Sequence, residues 1–538
     1  MRKITSIMVM LMAGSFLSFA QSYQDGINYS FNDYMGTART VGMGNAFTAL
    51  GGDLGSIGIN PAGSAINKFS QVTITPGLSI SGVKATYDPA PGMGGDNQAF
   101  QVNTSRTRGK LPNLGFMITW ADDATSSSLK GISFGMVGNT TANYNSHITG
   151  RGINAESSML GEIGQYFTSQ GYNYNSITAN NAYYNGYSWK DVVAARSGMV
   201  ATNQNGDWLG ATETMFPDGS IGTAGLLDQR WGRVTSGYKY DMVINLGLNF
   251  SNMFYIGANL GMVALNYDQD TYHRELAMNP DDFLINFTNG ATCFDSMKLA
   301  DWYHAEGEGY YGKLGFIFVP SPQFRVGAAI QTPTVLNIRE SWQNYGDINF
   351  TDNIHSASEY SPEGDFEYQL LSPARYNVGA ALTFENGILS ADYEYTDFST
   401  MEFRERDSYD NSAFDGVNQD IKEFTGGAHQ IRLGAEIKPT PLFALRAGYN
   451  YSTSPYYEYT NNGAVGAKKA VDAVRHAISA GLGFSSSGSF FCDLAVKATF
   501  MPEQFVSPYN NYIDNVKSPE ISYKHNLFDV VVTFGWRF

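Results

Sequence analysis

Covalent chemistry needs a nucleophile with a base and an orienting group, or metal ligands at fixed spacing. This chain of 538 residues supplies neither as a motif. No G-x-S-x-G and no H-E-x-x-H occurs, so no enzyme is expected. Its seven histidines are His147, His273, His304, His355, His429, His476 and His525. No pair of them sits at ligand spacing, so no metal and no cofactor is expected, and haem or metal capture by outer loops stands only as an alternative. Two cysteines, Cys293 and Cys492, read at different heights of the architecture below, which predicts no bridge. A net charge of −16 disfavours nucleic acid as a partner.

The charges with more to say sit singly inside short apolar runs. Arg325, Arg375, Arg432, Arg446, Arg475 and Lys497 stand beside Asp392, Glu394, Glu436 and Asp493. Mixed signs point to a salt-bridged interior; an ion-selective pore would show one sign predominating. What positions them follows from the surrounding pattern. Charged residues make up 16% of the chain, against about 25% in soluble proteins. Aromatics reach 14%, and such a surface would be sticky in water. A spanning helix needs about 20 apolar residues, and no such run follows the first twenty residues. Hydrophobicity instead alternates through short segments, as in a transmembrane β-barrel.

Fourteen such segments can be read. In DVVVTFGWRF, Val530, Val532, Phe534, Trp536 and Phe538 face one way; Val531, Thr533 and Arg537 face the other. An outward aromatic terminus resembles the signal that bacterial outer-membrane barrels present to the barrel-assembly machinery, so Phe534, Trp536 and Phe538 are assigned that role. Upstream, SFFCDLAVKATF, VRHAISAGLGF, PLFALRAGYNY, IRLGAEI, GILSADYEYTDF, YNVGAALTF, FRVGAAI, GKLGFIF, FYIGANLGM, MVINLGLNF, GISFGMV, LGFMITW and VTITPGLSISGV complete the set. Joints after even-numbered segments are short and rich in Gly, Pro, Asn and Ser; joints after odd-numbered ones are long and polar. The largest runs over about 148–228. That register predicts an all-β, antiparallel barrel in the outer membrane of a Gram-negative bacterium, with short periplasmic turns, both chain ends periplasmic and lipids around the wall.

Two segments precede the barrel. Residues 1–20 carry Arg2 and Lys3, an apolar run from Ile4 to Leu17, and Ser18-Phe19-Ala20, which reads as a cleavable signal peptide. Residues 21–69 contain GMGNAFTALGGDLGSIGINPAG, with seven glycines and one charge. Ala46–Leu50 reads as a helical turn bounded by glycines, and Asn60-Pro61-Ala62-Gly63 as a rigid turn. Compact irregular backbone at membrane depth belongs where protein buries it, which predicts a plug inside the barrel of residues 70–538.

The G-M-G-N-A-F stretch followed by N-P-A-G, leading into fourteen strands, resembles the FadL family of outer-membrane transporters of fatty acids and aromatic hydrocarbons. The resemblance implies a hatch formed around Gly42, Met43, Gly44, Asn45, Phe47, Asn60, Pro61, Ala62 and Gly63. It also implies passive transport of a hydrophobic small molecule, caught by loops, held in an internal pocket and released sideways at a kinked third strand. Gly138-Asn139 interrupts the alternation of that strand and is the candidate kink, an ordinary bulge being the plainer reading. In the long loop, SSMLGEIGQYF reads as an amphipathic helix whose Met159, Leu160, Ile163 and Phe167 form either a ligand-capture surface or a lid. A barrel reused as an adhesin or secretion-system docking component is the alternative, since the long loops, such as NNAYYNGY, suit protein contact. Lateral delivery suits a greasy cargo, because return to water costs about 0.8 kcal/mol per CH₂.

Overall fold

The computed structural model describes residues 21–88, 98–122, 127–287, 290–352, 354–406, 412–460, 467–486, 488–509 and 517–538. The signal-peptide reading of 1–20 lies outside the described residues.

Alternating segments become strands because one face of each meets a packed interior and the other meets lipid. Fourteen of them close a ring: β1 Gln71–Asp88, β2 Gln101–Ala121, β3 Leu129–Asn143, β4 Leu227–Phe250, β5 Phe254–Ala277, β6 Gly290–Ser321 and β7 Phe324–Gln331. The second half is β8 Arg375–Thr383, β9 Gly387–Asp397, β10 Gly427–Thr440, β11 Phe443–Ser452, β12 Arg475–Ser485, β13 Phe490–Phe500 and β14 Glu520–Arg537. Each pairs antiparallel with its neighbours, and β14 pairs with β1 from Arg537↔Gln71 to Glu520↔Asp88. The last strand is thereby joined to the first, so that neither is a free edge.

The outward face is oily at one height all round. Leu78, Leu114, Phe134, Leu246, Leu260, Leu314, Val378, Leu433, Leu445, Leu482 and Phe528 are each exposed. Phe534, Trp536 and Phe538 point outward at the short-turn end, where Ser70 and Phe538 exchange main-chain hydrogen bonds. The β4–β5 hairpin turns through Ser251 and Asn252, both at φ +55°, a primed turn matched to strand twist. No helix among the described residues is long and apolar enough to cross a membrane.

Four adjacent strands stand far above the belt. β4 and β5 have 24 residues each and β6 has 32, while β7 continues as Thr334–Phe350. The long joint after β3 is folded. It contains helices α3 Met159–Gln170, α4 Tyr174–Ile177 and α5 Trp189–Arg196, with small hairpins between Val200 and Thr223. A buried core of its own, including Leu160, Phe167, Val192 and Trp208, continues onto Phe294, Leu299 and Ile348 of the tall wall. Both cysteines are free thiols.

Residues 21–69 sit inside the ring, almost wholly buried. They begin at the long-loop end, with helix α1 Tyr23–Ser30, and descend through helix α2 Ala38–Gly42 to the short-turn rim. The expectation that residue 21 onward starts on the same side as the C-terminal strand end is corrected here: Gln21 and Phe538 lie at opposite ends of the barrel. Gln21 is at the level of Glu340, high on the β7 continuation, and donates to it at 2.6 Å. The segment threads the whole lumen because its contacts are distributed along the whole height of the wall.

Candidate functional site: the filled lumen and a break in its wall

The glycine-rich stretch is short of side chains and rich in backbone groups that must find partners. Lumen-facing side chains supply them. Asn245 Nδ2 donates to the Pro61 carbonyl at 3.0 Å, Asn259 Nδ2 to Ile57 at 2.9 Å, Lys313 Nζ to Gly58 at 2.8 Å and Arg325 Nη1 to Leu50 at 3.1 Å. Asp392 accepts from both the amide and the hydroxyl of Thr48 at 2.7 Å.

Asn60 is the hub of the lower half. Its Oδ1 accepts from the Ala62 amide at 3.0 Å, capping the 3₁₀ turn Pro61–Ile66, and its Nδ2 donates to Thr48 at 2.6 Å and Phe316 at 3.2 Å. Pro61 occupies the first position of that turn, where its missing N–H costs nothing. Ala62 is fully buried and Gly63 lies against Gly51. The wall makes room at Gly257 and Gly315, where a Cβ would collide with Pro61 and Asn60.

The upper half of the motif is arranged differently from expectation. The helical turn is Ala38–Gly42, capped by Thr37, whereas Ala46–Leu50 forms turns without a helix. Gly44 at φ +62° and Asn45 at φ +60° end the helix, and Asp392 then takes the Thr48 amide away from helical pairing. Asn45 Nδ2 donates to the Tyr34 carbonyl at 2.8 Å. Met43 and Phe47 are fully buried, with the Arg39 guanidinium 5.5 Å from the Phe47 ring. Gly42 packs on Gly481.

The mixed charges in the lumen form a clamp. Glu436 binds Arg39 of α2 at 3.0 Å and Arg446 at 2.7 Å, and Arg446 also reaches Asp493 at 2.6 Å. Asp33 lies between Arg475, 2.8 Å away, and Lys497. Glu394 holds Arg375 at 3.2 Å and Arg432 at 3.0 Å. Two small cavities beside this network have mixed linings with charged groups in them. One is lined by Asp33, Gln430, Asn450 and Arg475; the other by Asn32, Lys239, Asp241, Gln331 and Arg375.

Above the clamp the lumen is apolar. Val263, Leu265, Tyr267, Leu336 and Ile338 surround Ile27 and Tyr29 of α1. Tyr29 packs edge-on against Tyr267 at 5.9 Å, as does Tyr144 at 5.2 Å. The α1 helix therefore fills this apolar stretch of the lumen.

Beside it the wall is incomplete. The β2–β3 ladder runs from Ala121↔Gly131 to Asn113↔Asn139 and ends. Beyond that rung, Gln101–Lys110 pair with β1, while Thr140, Ala142 and Asn143 pair with β4. The chain resumes as Ser146–Asn154 on β4 and meets Gln98–Ala99 through Gly152 and Ile153, which closes the top of the break. Among the described residues only side chains cross between these limits. Thr140 Oγ1 donates to Leu111 at 3.3 Å, Asn145 Nδ2 to Arg106 at 3.2 Å, and Arg106 Nη1 to Thr235 at 2.8 Å. Pro112, just past the last rung, has no N–H to give, and β3 bulges at Thr141 opposite Lys239 and Tyr240 of β4, with Gly237 at φ +114°.

Gly138 and Asn139 are thus the last paired residues of β3 below the break. The Tyr240 ring fills the space where a Gly138 Cβ would stand, and Asn139 Oδ1 accepts from Asn113 Nδ2 at 2.8 Å. Residues missed by sequence reasoning are Pro112, Tyr144, Lys239 and the whole of α1. A proline inside an otherwise regular strand was the available signal.

The capture-surface reading of Met159, Leu160, Ile163 and Phe167 is corrected: they are 2%, 0%, 5% and 0% exposed. They form the core of the folded lid, with Phe167 edge-on to Trp208 at 5.0 Å. Among the described residues no group of His, Cys, Asp and Glu is arranged to hold a metal.

Fold and site together define a transmembrane β-barrel of the outer-membrane type whose lumen is occupied by its own N-terminal segment. No protein-family model matches the sequence, and no curated protein matches it. Similar solved structures include a Pseudomonas aeruginosa FadL homologue, at 13% identity over 94% of this chain and 99% of that one, TM-score 0.48. The Pseudomonas putida toluene transporter TodX is 12% identical over 95% and 100%, TM-score 0.46. The Ralstonia pickettii toluene transporter TbuX is 12% identical over 94% and 99%, TM-score 0.43.

Proposed function

We propose that this barrel passively transports hydrophobic small molecules across the outer membrane and releases them sideways into the bilayer. The carrying observation is the stretch of wall between Asn113/Asn139 and Ala99/Gly152 that has no backbone ladder. It borders the apolar lumen at Tyr144 and faces outward beside exposed Leu111 and Tyr238. A ladder of main-chain bonds would have to be broken to pass a ligand; here a few side-chain bonds have to swing aside.

The residues act in sequence. The lower clamp around Asn60, Asp392 and Glu436 bars an aqueous path through the barrel. The α1 helix fills the apolar chamber and must yield it, its end being held by Lys239 of β4, opposite the bulge of β3. A cargo that replaces Ile27 and Tyr29 then lies against the break. Exit into lipid avoids rehydration of the cargo, worth about 0.8 kcal/mol per CH₂.

The test is a cross-link. With Cys293 and Cys492 changed to serine, cysteines replacing Leu111 and Thr140 are joined by a short bifunctional reagent in whole cells. Uptake of labelled toluene or oleate should fall to the level of cells lacking the protein, and a cleavable reagent should restore it. Uptake unchanged by complete cross-linking would remove the lateral route.

A further inference from the structure

Two separate cores lie one above the other at the long-loop end. The lower one surrounds α1 and the upper one belongs to the lid. Between them the wall changes character. Along β6 and the β7 continuation, alternation of burial gives way to partial exposure on both faces from Ala300 to His304 and from Ser341 to Tyr345. The register puts these stretches side by side, Asp301↔Asn344 and Tyr303↔Trp342, and aligns Thr271 and Arg233 with Asp301. A strand packed on one side alternates; one with solvent-accessible space on both sides does not. A vestibule therefore separates lid from α1.

Its lining is aromatic and acidic. Trp189 of α5 lies 5.8 Å from Trp342 of the wall, and Tyr303 is bonded to Tyr29 below through hydroxyls 2.9 Å apart. Glu162 and Asp191 come from the lid, Asp301 from the wall and Asp25 from α1. Lys190 is within electrostatic reach of Glu162, Asp191 and Asp301, and Arg233 of Asp25 and Asp301. Asp270 also acts on Asp301, so Lys190 and Arg233 are outnumbered by carboxyls here. Glu162 is 5% exposed, and the cation acting on its carboxyl is Lys190. Burial pushes its carboxyl up to about 7, and that of Asp191 also to about 7.

We propose that this vestibule binds a lipophilic organic cation, its charge facing Glu162, Asp191 and Asp301 and its apolar body lying on Trp189, Trp342 and Tyr303. A diffuse organic charge fits carboxylates too scattered to ligate a metal ion, and aromatic faces attract such cations. A fatty carboxylate would be repelled by the same groups. As a statement about cargo the inference rests on the transport reading above; as a statement about binding it stands without it.

The experiment measures binding of tetraphenylphosphonium and of its anionic isostere tetraphenylborate to the purified full-length barrel, with empty micelles subtracted. The cation should bind at least tenfold more tightly than the anion. Glu162→Gln and Asp191→Asn should each weaken the cation severalfold and leave the anion unchanged or strengthened. If Glu162→Gln loosens the lid, the half-buried Asp191→Asn carries the comparison. Equal affinity for the two ions, or cation binding indifferent to Asp191→Asn, would overturn the proposal. Charge-selective binding in a barrel whose cross-linked break leaves uptake intact would support the vestibule and sink only the lateral route.

Discussion

Lys239 Nζ donates to the main-chain carbonyl of Tyr29 at 2.7 Å, and to that of Phe31 at the same distance. One side chain thereby ties the end of α1 to β4, opposite the bulge of β3 at Thr141 and beside the break in the wall. Helix ends leave carbonyls without intrahelical partners, so this lysine does the work of a C-terminal cap from across the lumen. The helix that fills the apolar chamber and the strand that borders its opening are mechanically joined.

Lys239→Met should free the helix without opening the ring. Two buried carbonyls would lose their donor, at about 1–3 kcal/mol each. Hydrogen exchange followed by mass spectrometry should show protection over residues 23–31 falling at least tenfold, with β11–β13 unchanged. Unaltered protection over 23–31 would show that the remaining contacts of α1, the apolar ones and those of Tyr303, Tyr144 and Arg375, hold it without Lys239.

Glu436→Gln should release the lower clamp. The carboxylate serves both Arg39 and Arg446, and its loss leaves Arg39 charged, mostly buried and without its partner. Breaking one side of a buried pair costs about 3–5 kcal/mol. In planar bilayers the variant should show ion conductance, and Arg39 should become accessible to trypsin from the short-turn side. A silent, protease-resistant variant would mean that the backbone grips of Asn245, Asn259 and Lys313 suffice.

Gly315→Val should displace the Asn60-Pro61-Ala62 turn, because the wall offers no space there. Gly312→Ala on the same strand is the control, since its nearest obstacle to a new Cβ is Thr332 at 3.8 Å. The valine variant should retain its β-content and heat-modifiable migration yet conduct ions, while the control stays closed.

The lid should loosen as pH rises. Glu162 and Asp191 have folded-state values near 7, above their ordinary 4.5 and 3.8. The folded lid therefore binds protons more tightly than the unfolded one. Its stability is greatest below about pH 4 on this account and declines until about pH 7, by roughly 1.4 kcal/mol per unit for each group at most. Lys190 and Arg233 oppose the effect, and Asp25 and Asp301 add to it. Exchange of α3 and α5 amides, corrected for intrinsic rates, should be faster at pH 8 than at pH 5, and Asp191→Asn should halve the difference.

Strand positions, facing and the alternation of short and long joints were legible in the sequence, because each depends on local pattern. In β10, for instance, Ile431 and Leu433 face lipid while the fully buried Arg432 turns inward and meets Glu394 of the neighbouring strand β9. The pattern shows that Arg432 turns inward; it does not show that its partner is Glu394. Asn60-Pro61 was readable as a turn for the same local reason. The shift of the helical turn to Ala38–Gly42 was not, since the deciding acceptor, Asp392, lies 344 residues from Thr48.

What the sequence alone determined is a period: side chains alternating between oil and interior fix a closed sheet, and glycine-rich backbone before it must find shelter. What only the tertiary structure decided is which groups meet across the lumen. The direction of the N-terminal segment, the burial of Met159 and Phe167 in a lid, and the end of the β2–β3 ladder all arise from contacts between distant residues. Period is a property of neighbours in the chain, whereas partnership is set by the curvature of the ring and by which buried polar groups remain to be satisfied.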